Sequence, residues 1–518
     1  MPTALIDRPQ TTGRSWHKGK LLYPALAGVL VLAIVCGAIF ASKWPFTRGR
    51  VIERLQRASE AQVDISKFRS TYFPPGYVAE GVVFRKQTAR ADPNATPLMT
   101  IARLRITSSY SGLLAHQKRI SKIIADGIHI VIPAGGTHFN SNGGSNRESL
   151  LIEEFLARDG ILEFTSRERG GKTLTFAIHN ASFRNISTNR TIPFALSLRL
   201  PLPAAELTAR GWIGPWLTQK GSVRGTPVSG SCDLEHGNLG VFESLAGTIE
   251  SHVTFSGTLA RVAITGTTNS PDFEVKASRH HLPLNTQFRG TVDLTNGDVL
   301  LPSLSAKLGN THLVAQARVT GHPKSVDLRV EKGQGEVQDL VLLFSKAPRS
   351  PINGPIQFET HILLPPVHRP FKERVQLAGD FRIDPAQFTS SNTQEHVDQL
   401  SERARGKKDK DGSKYLDVLS NLRGHVTLKD GVSSFSTISF SVPGATARMH
   451  GEYNLVNDRV NFHGNMRMQA TVSQATTGVK SFFLKILDPF FKKKKSGAEL
   501  PVSMTGTYGH TRFAAGFK

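Results

Sequence analysis

This chain has little cysteine, few acidic residues, no motif of a known catalytic centre and only one long apolar run. Two cysteines in 518 residues, Cys36 and Cys232, exclude a disulfide framework and a thiolate metal cage. The sequence contains no H-E-x-x-H, no G-x-S-x-G and no phosphate-cradling Walker loop. The 18 histidines are scattered. The one adjacent pair, His280-His281, would point to opposite faces of a strand and makes a poor joint ligand set. The expectation is therefore a non-enzymatic protein with no cofactor and no metal. Asn180-Ala181-Ser182 and Asn185-Ile186-Ser187 fit a glycosylation pattern that chance produces often. With 46 Gly and 28 Pro, near the average share, the chain is neither collagen-like nor wholly disordered.

Acidic residues number 41 against 64 Lys and Arg, a formal charge of +23. Such an excess favours an anionic neighbour: a membrane surface, nucleic acid or an acidic glycan. The basic residues are spread along the chain and are not gathered on an aromatic-studded sheet, which argues against nucleic acid.

The single long apolar run is Leu21 to Ser42, LLYPALAGVLVLAIVCGAIFAS, which carries no charge. It is long enough to span a bilayer core. Tyr23 and Trp44 stand near its two ends, where amphipathic rings prefer the interface. A cleaved signal peptide has a shorter apolar region ending in a small-residue site. Here the best such site, Cys36-Gly37-Ala38, falls inside the run, so an uncleaved anchor is expected. Arg8, Arg14, Lys18 and Lys20 before it balance Lys43, Arg48 and Arg50 after it, so the flanking charges do not orient the span.

Beyond the anchor the dominant period is two. Ala102, Leu104 and Ile106 alternate with Arg103 and Arg105; Ile128, Ile130 and Ile132 with His129 and Val131. Ile249, Val253 and Phe255 alternate with Glu250, His252 and Thr254; Leu313, Ala315, Ala317 and Val319 with His312, Gln316 and Arg318. The longest case runs Val460-Phe462-Gly464-Met466-Met468-Ala470-Val472, with polar residues between. Such alternation marks strands with one apolar and one wet face. Asp126-Gly127, Asn296-Gly297 and Asp430-Gly431 are hairpin signals. Helical patterns are short: Arg48–Glu60, Ser149–Arg158, Gln394–Ala404 and the amphipathic Ser473–Leu487. The expected fold is mainly β: one N-terminal transmembrane helix, then an elongated body, a long curved antiparallel sheet or groove with a few short helices.

The expected order is a cytoplasmic N-terminus at 1–20, the span at 21–42, a β-rich module at 43–133 and a Gly/Asn/Ser-rich loop at 134–149. A central β-repeat region follows at 150–346, then a linker-containing region at 347–414 that holds the proline-rich break 347–355 and the charged stretch 406–414. A C-terminal β module at 415–518 carries the amphipathic segment 473–487. Residues Phe288 to Gly297 resemble Leu422 to Gly431: both read R-G-x-V-x-L followed by a turn glycine, then an alternating strand at the same spacing. Two arrangements fit this repeat, hairpins adding to one long sheet or two sandwich halves with common turn chemistry.

Four stretches of the chain resemble the AsmA family of membrane-anchored envelope proteins. They are the anchor with Val51-Ile52-Glu53-Arg54-Leu55, Val63-Asp64-Ile65 and Val78 to Phe84; Ile101 to Ile132 with Tyr110-Ser111-Gly112-Leu113-Leu114; Asp159 to Phe164 with Leu174 to Ile178; and Leu422 to Phe517. The resemblance implies a single-pass inner-membrane anchor, a periplasmic body and an apolar β-groove related to bridge-like lipid transfer proteins. It also implies phospholipid binding or transfer in support of outer-membrane and envelope biogenesis. A non-enzymatic scaffold or assembly factor for envelope proteins is the alternative. The expected partners are phospholipids or an anionic membrane surface, with envelope proteins as further candidates.

On that reading the groove candidates are Ile438, Phe440, Met449, Tyr453, Val460, Phe462, Met466 and Met468. The membrane-surface candidates are Phe482, Phe483, Ile486, Phe490 and the lysine run Lys492, Lys493, Lys494 and Lys495. Periodicity alone leaves two options open for the apolar faces, an open groove or a closed sandwich core. It also leaves two for Ser473–Leu487, a membrane contact or a cap on the sheet.

Overall fold

The computed structural model describes residues 44–59, 61–86, 97–115, 118–132, 150–165, 173–187, 189–216, 224–242, 244–276, 278–321, 323–345, 348–350, 352–367, 369–389, 420–442, 445–468, 499–507 and 510–515. Leu21–Ser42, the loop 134–146, the stretches Gln394–Ala404 and 406–414, and Ser473–Lys495 with all the membrane-surface candidates lie outside them. Among the described residues no helix is long and apolar enough to cross a membrane.

Strands dominate, and they form one long curved open sheet of 24 strands. Neighbours in sequence are neighbours in space. Ala61–Thr71 pairs with Gly76–Lys86, which pairs with Met99–Thr107, and the meander continues hairpin by hairpin to Glu499–Thr507 and His510–Ala515. Pairing is antiparallel except once, where Arg119–Ile132 and Leu151–Phe164 run parallel. Among the described residues the first and last strands do not pair, so the sheet does not close into a barrel.

The two copies of the internal repeat are hairpins of this one sheet, His281–Asp293 with Asp298–Leu308 and Ser420–Lys429 with Val432–Val442, with four strands between them. The repeat glycine has the same reason in each. Gly290 and Gly424 sit at or beside register shifts, where a Cβ would meet Leu300 O at 2.1 Å and Thr437 O at 2.7 Å. Such bulges bend a strand and sharpen its twist. The turns follow the sequence signals: Gly297 has φ +73, and Asp430 and Gly431 both have positive φ, at 49 and 79.

Three local expectations are corrected. Asp126-Gly127 is not a hairpin but lies inside the strand Arg119–Ile132, with Gly127 at φ 63 and the register unchanged on either side of it. Beside it Ala102 is exposed, and Ile101 takes its place on the apolar face with Leu104 and Ile106. The segment 149–158 is not a helix: Leu151–Phe164 is a strand whose buried Leu151 and Ala157 share one face. Its Leu-Leu-x-x-x-Phe-Leu spacing fits a helix, but an available ladder along Arg119–Ile132 satisfies its backbone and overrides local propensity.

Helices act as covers at two places. Arg48–Ser59 lies against the first strands: Val51 is buried, Ile52 and Leu55 pack on the same cluster, and Arg48 donates to Ile65 O at 2.8 Å. Trp44 and Phe46 complete this core at 2% and 5% exposure. Farther along, Val337–Leu342 covers a second cluster with Ile356, Ile383, Leu422, Ala447 and Met466. A separate two-stranded sheet, Ile352–Asn353 with Gln387–Phe388, adds Ile352 to it.

Asp339 pins that second helix to the sheet. Its buried carboxylate accepts from Asn310 N–H at 2.8 Å and from the hydroxyl of the fully buried Thr311 at 3.1 Å. Asp339→Ala leaves the Asn310 N–H without its acceptor and the Thr311 hydroxyl with only Glu336 O, at 3.2 Å, and is expected to cost about 1–3 kcal/mol, whereas Asp339→Asn retains an acceptor oxygen and is milder. Denaturant unfolding of the two variants beside the parent checks this; equal stabilities would show that the carboxylate does not anchor the cover.

Candidate functional site: the apolar face

In a paired sheet, partners across the ladder share a face, so each row of partners is a line drawn across the strands. One such row crosses the molecule from its first strand almost to its last. It begins Phe68–Ala79–Leu104–Ala125–Ala157–Ala181. It continues Leu196–Ala209–Cys232–Val253–Gly266–Phe288. It proceeds through Leu304, Ala315, Val330, Thr360, Gly379, Val426, Phe435, Gly451, Phe462 and Met504. Thr360 is the only polar side chain in the row.

Two residues along each strand a second row runs beside it on the same face. It passes Tyr77, Ile106, Ile123, Phe155, Phe183 and Phe194, and later Phe255 and Ile264. Beyond the repeat glycine Gly290, against which Leu301 packs, it resumes as Leu301, Ala317, Leu328, Ile362, Leu377 and Leu428. Rings stack along it, Phe155 on Phe183 at 6.2 Å and Phe183 on Phe194 at 6.4 Å.

The opposite face is polar over most of its length. Among the described residues it carries six histidine–carboxylate pairs that tie strands together: His129–Glu163, His179–Glu206, His252–Asp233, His281–Glu274, His361–Asp327 and His425–Asp380. Lys122 and Glu154 join them at 2.7 Å, and that hydrogen bond, the largest influence, holds the Glu154 carboxyl below its ordinary range.

What covers the apolar face changes along the sheet. Under the two helices its residues are buried, as in Val63, Ala79 and Val82 at one end and Ile383 and Ala447 at the other. Between them cover is partial: Ala315 and Val330 of the first row are buried, but much of the face is half-exposed. Thr248–Thr258 and His281–Asp293 alternate between half-buried and exposed positions, and Val253, Phe255, Ile264, Phe288, Leu304 and Leu328 are all half-buried. A sandwich would bury these side chains against a second sheet. Among the described residues no such layer lies on them.

Seven of the eight sequence-derived groove candidates fall on this face by register: Phe462 in the first row, Tyr453 and Val460 in the second, Ile438 and Met449 in a third row, and Phe440 and Met466 in a fourth. The backbone of Met468 pairs with Ala445. They do not all line open space. Met466 is 4% exposed in the cluster under Val337–Leu342, with Ile438 and Phe440 packed against it. Phe462 and Val460 are also buried, whereas Met449 and Tyr453 are half-buried. The open lining lies mid-sheet, at residues such as Phe194, Phe255 and Phe288. Their alternation was visible in part, but their alignment needed the register.

Cys232 stands in the first row between Ala209 and Val253 and reports on it. Burial, and secondarily the Asp233 carboxylate, push its thiol up from the ordinary value. In a Cys36→Ser background it should react with a water-soluble maleimide several-fold more slowly than a free thiol, with a rate that climbs with pH above neutrality. Stopped labelling and mass spectrometry measure this; a rate equal to that of glutathione would place the thiol outside the row.

Among the described residues no group of three His, Cys, Asp or Glu is placed to hold a metal ion. Against known proteins the chain matches no family model, no curated protein and no solved structure.

Proposed function

We propose that this chain is a membrane-anchored carrier that binds phospholipid acyl chains along the apolar face of its sheet and moves them away from the membrane, in support of envelope biogenesis. One observation supports this above the rest: apolar rows continue across the strands on a face much of which stays half-exposed mid-sheet. At about 4.8 Å between strands the rows run for on the order of 100 Å, more than three times the hydrocarbon thickness of a bilayer. Soluble proteins rarely expose continuous apolar surface beyond a few hundred Å². A ligand with long apolar chains is the partner such a face fits.

The anchor supports the same reading. Only Lys43 separates the run Leu21–Ser42 from Trp44, which is buried in the core of the first strands. With that run in a bilayer, the first strands stand at the membrane surface and the rows lead outward from it. The AsmA resemblance supplies the compartment: an inner-membrane span with the body in the periplasm. The excess of Lys and Arg favours approach to anionic headgroups, each surface cation contributing about 1 kcal/mol near such a membrane.

The test places a photo-crosslinking amino acid at single positions of the full chain in cells. Phe255, Phe288 and Leu328 are expected to capture phospholipid. Thr254, Arg289 and Arg329, one residue farther along the same strands, are expected to capture several-fold less, because successive side chains point to opposite faces. Equal capture on both faces, or none on either, sinks the carrier role; the latter, with no phospholipid co-purifying, turns the assignment to an assembly factor.

A further inference from the structure

On the polar face, cations generally stand opposite anions: His252 faces Asp233 and His425 faces Asp380. One patch departs from this. Arg382 and Arg423 are direct partners on neighbouring strands, a juxtaposition that repels. Ser439 follows Arg423 in the same row, and Arg448 follows Ser439. By strand spacing the three arginine positions lie about 5 and about 10 Å apart. They border a concavity of about 1550 Å³.

Among the described residues one carboxylate meets these arginines: Asp384 accepts from Arg382 Nη2 at 3.0 Å. His425 holds Asp380 at 2.9 Å and Gln316 holds Glu331 at 2.6 Å. Glu359 and Glu499, on the rim, form no ion pair with the arginines among the described residues. Arg423 uses Nε on the Ser439 hydroxyl at 3.2 Å, and no carboxylate lies within ion-pair distance of Arg448 among the described residues. Glu359, Asp380 and His425 form the adjoining row. That acidic row disfavours an extended polyanion and leaves the arginine row to a compact one.

We propose that this concavity binds a phosphate group, with Arg382, Arg423 and Arg448 as its ligands, on the face opposite the apolar rows. Guanidinium forks match phosphate oxygens in bidentate geometry, and an anion between Arg382 and Arg423 removes their mutual repulsion. The phosphate belongs either to a soluble phosphorylated molecule or to a lipid headgroup presented to this face. The site is independent of the lipid-carrier reading, since its three arginine ligands stand in none of the apolar rows.

The full chain is titrated calorimetrically with pyrophosphate, then mixed with phosphatidylglycerol vesicles with and without pyrophosphate. Saturable binding is expected for at least one probe. Arg423→Gln and Arg448→Gln should each weaken it about tenfold, the loss of one charge-assisted contact. Arg289→Gln, on the polar face outside the concavity, should leave it within about twofold. Pyrophosphate binding without arginine-dependent vesicle binding assigns a soluble ligand. Arginine-dependent vesicle binding that pyrophosphate displaces assigns a headgroup. Absence of saturable binding to both probes, or equal weakening by Arg289→Gln, overturns the site. Circular dichroism confirms that each variant is folded.

Discussion

Cross-strand register is the constraint on which this molecule depends. The side-chain period of a strand is two, so a slip of one residue in any ladder would move that strand's apolar set to the wet face. Here the phase is kept strand after strand from Phe68 to Met504. Bulges shift the ladder at several points, yet the apolar rows resume beyond them, as Leu301 does by packing over Gly290. The glycines at those points have a steric reason: a Cβ at Gly290 would collide with the neighbouring backbone. Curvature and continuity of the apolar face therefore share one cause.

A single sheet cannot bury both of its faces, and this chain divides the problem along its length. Near its beginning Arg48–Ser59, Trp44 and Phe46 bury the apolar side chains; toward its far end Val337–Leu342 does so, pinned by Asp339. These two covered stretches supply well-packed cores. The uncovered stretch between them rests on its backbone ladder, on ring contacts such as Phe183–Phe194 and on the ionic ties of the polar face. Exposed pairs of this kind contribute little individually, about 0–1 kcal/mol. The open stretch thus has less buried apolar contact than the ends, which suits a surface that takes up and releases a flexible apolar ligand.

The two faces also differ in the specificity they offer. The apolar face is built mainly of aliphatic and aromatic residues and Gly, with few polar side chains, among them Thr360, Ser433 and the Ser251, Thr268 and Thr286 positions of the third row. A surface of that kind selects for chain-like apolarity and not for a headgroup. The polar face holds localised charge in defined geometry, so discrimination by chemistry resides there. On the proposed reading, a carrier with an undemanding apolar track and a separate charged site would divide affinity and selectivity between the faces.

Much of this was legible in the sequence because alternation is a local property. The β-rich class, the strands around Val253, Ala315 and Phe462, the helix after the apolar run, the turns at Gly297 and Gly431 and the paired hairpins all follow from short-range patterns. Asp126-Gly127 and Leu151–Phe164 did not, because a positive-φ glycine serves the interior of a strand as well as a turn, and because ladder pairing outweighed a helical spacing. Which apolar residues are open and which are covered was also beyond local reading: Met466 and Phe288 alternate alike, but a helix more than a hundred residues from Met466 in sequence lies over it. The row Arg382–Arg423–Ser439–Arg448 joins the strand Gln376–Ile383 to strands that begin only at Ser420, across a long connection. The sequence by itself determined which face of each strand is apolar, since that depends only on the order of residues. Only the tertiary structure decided how those faces align into one surface and where it stays uncovered, because register and packing are relations between distant segments.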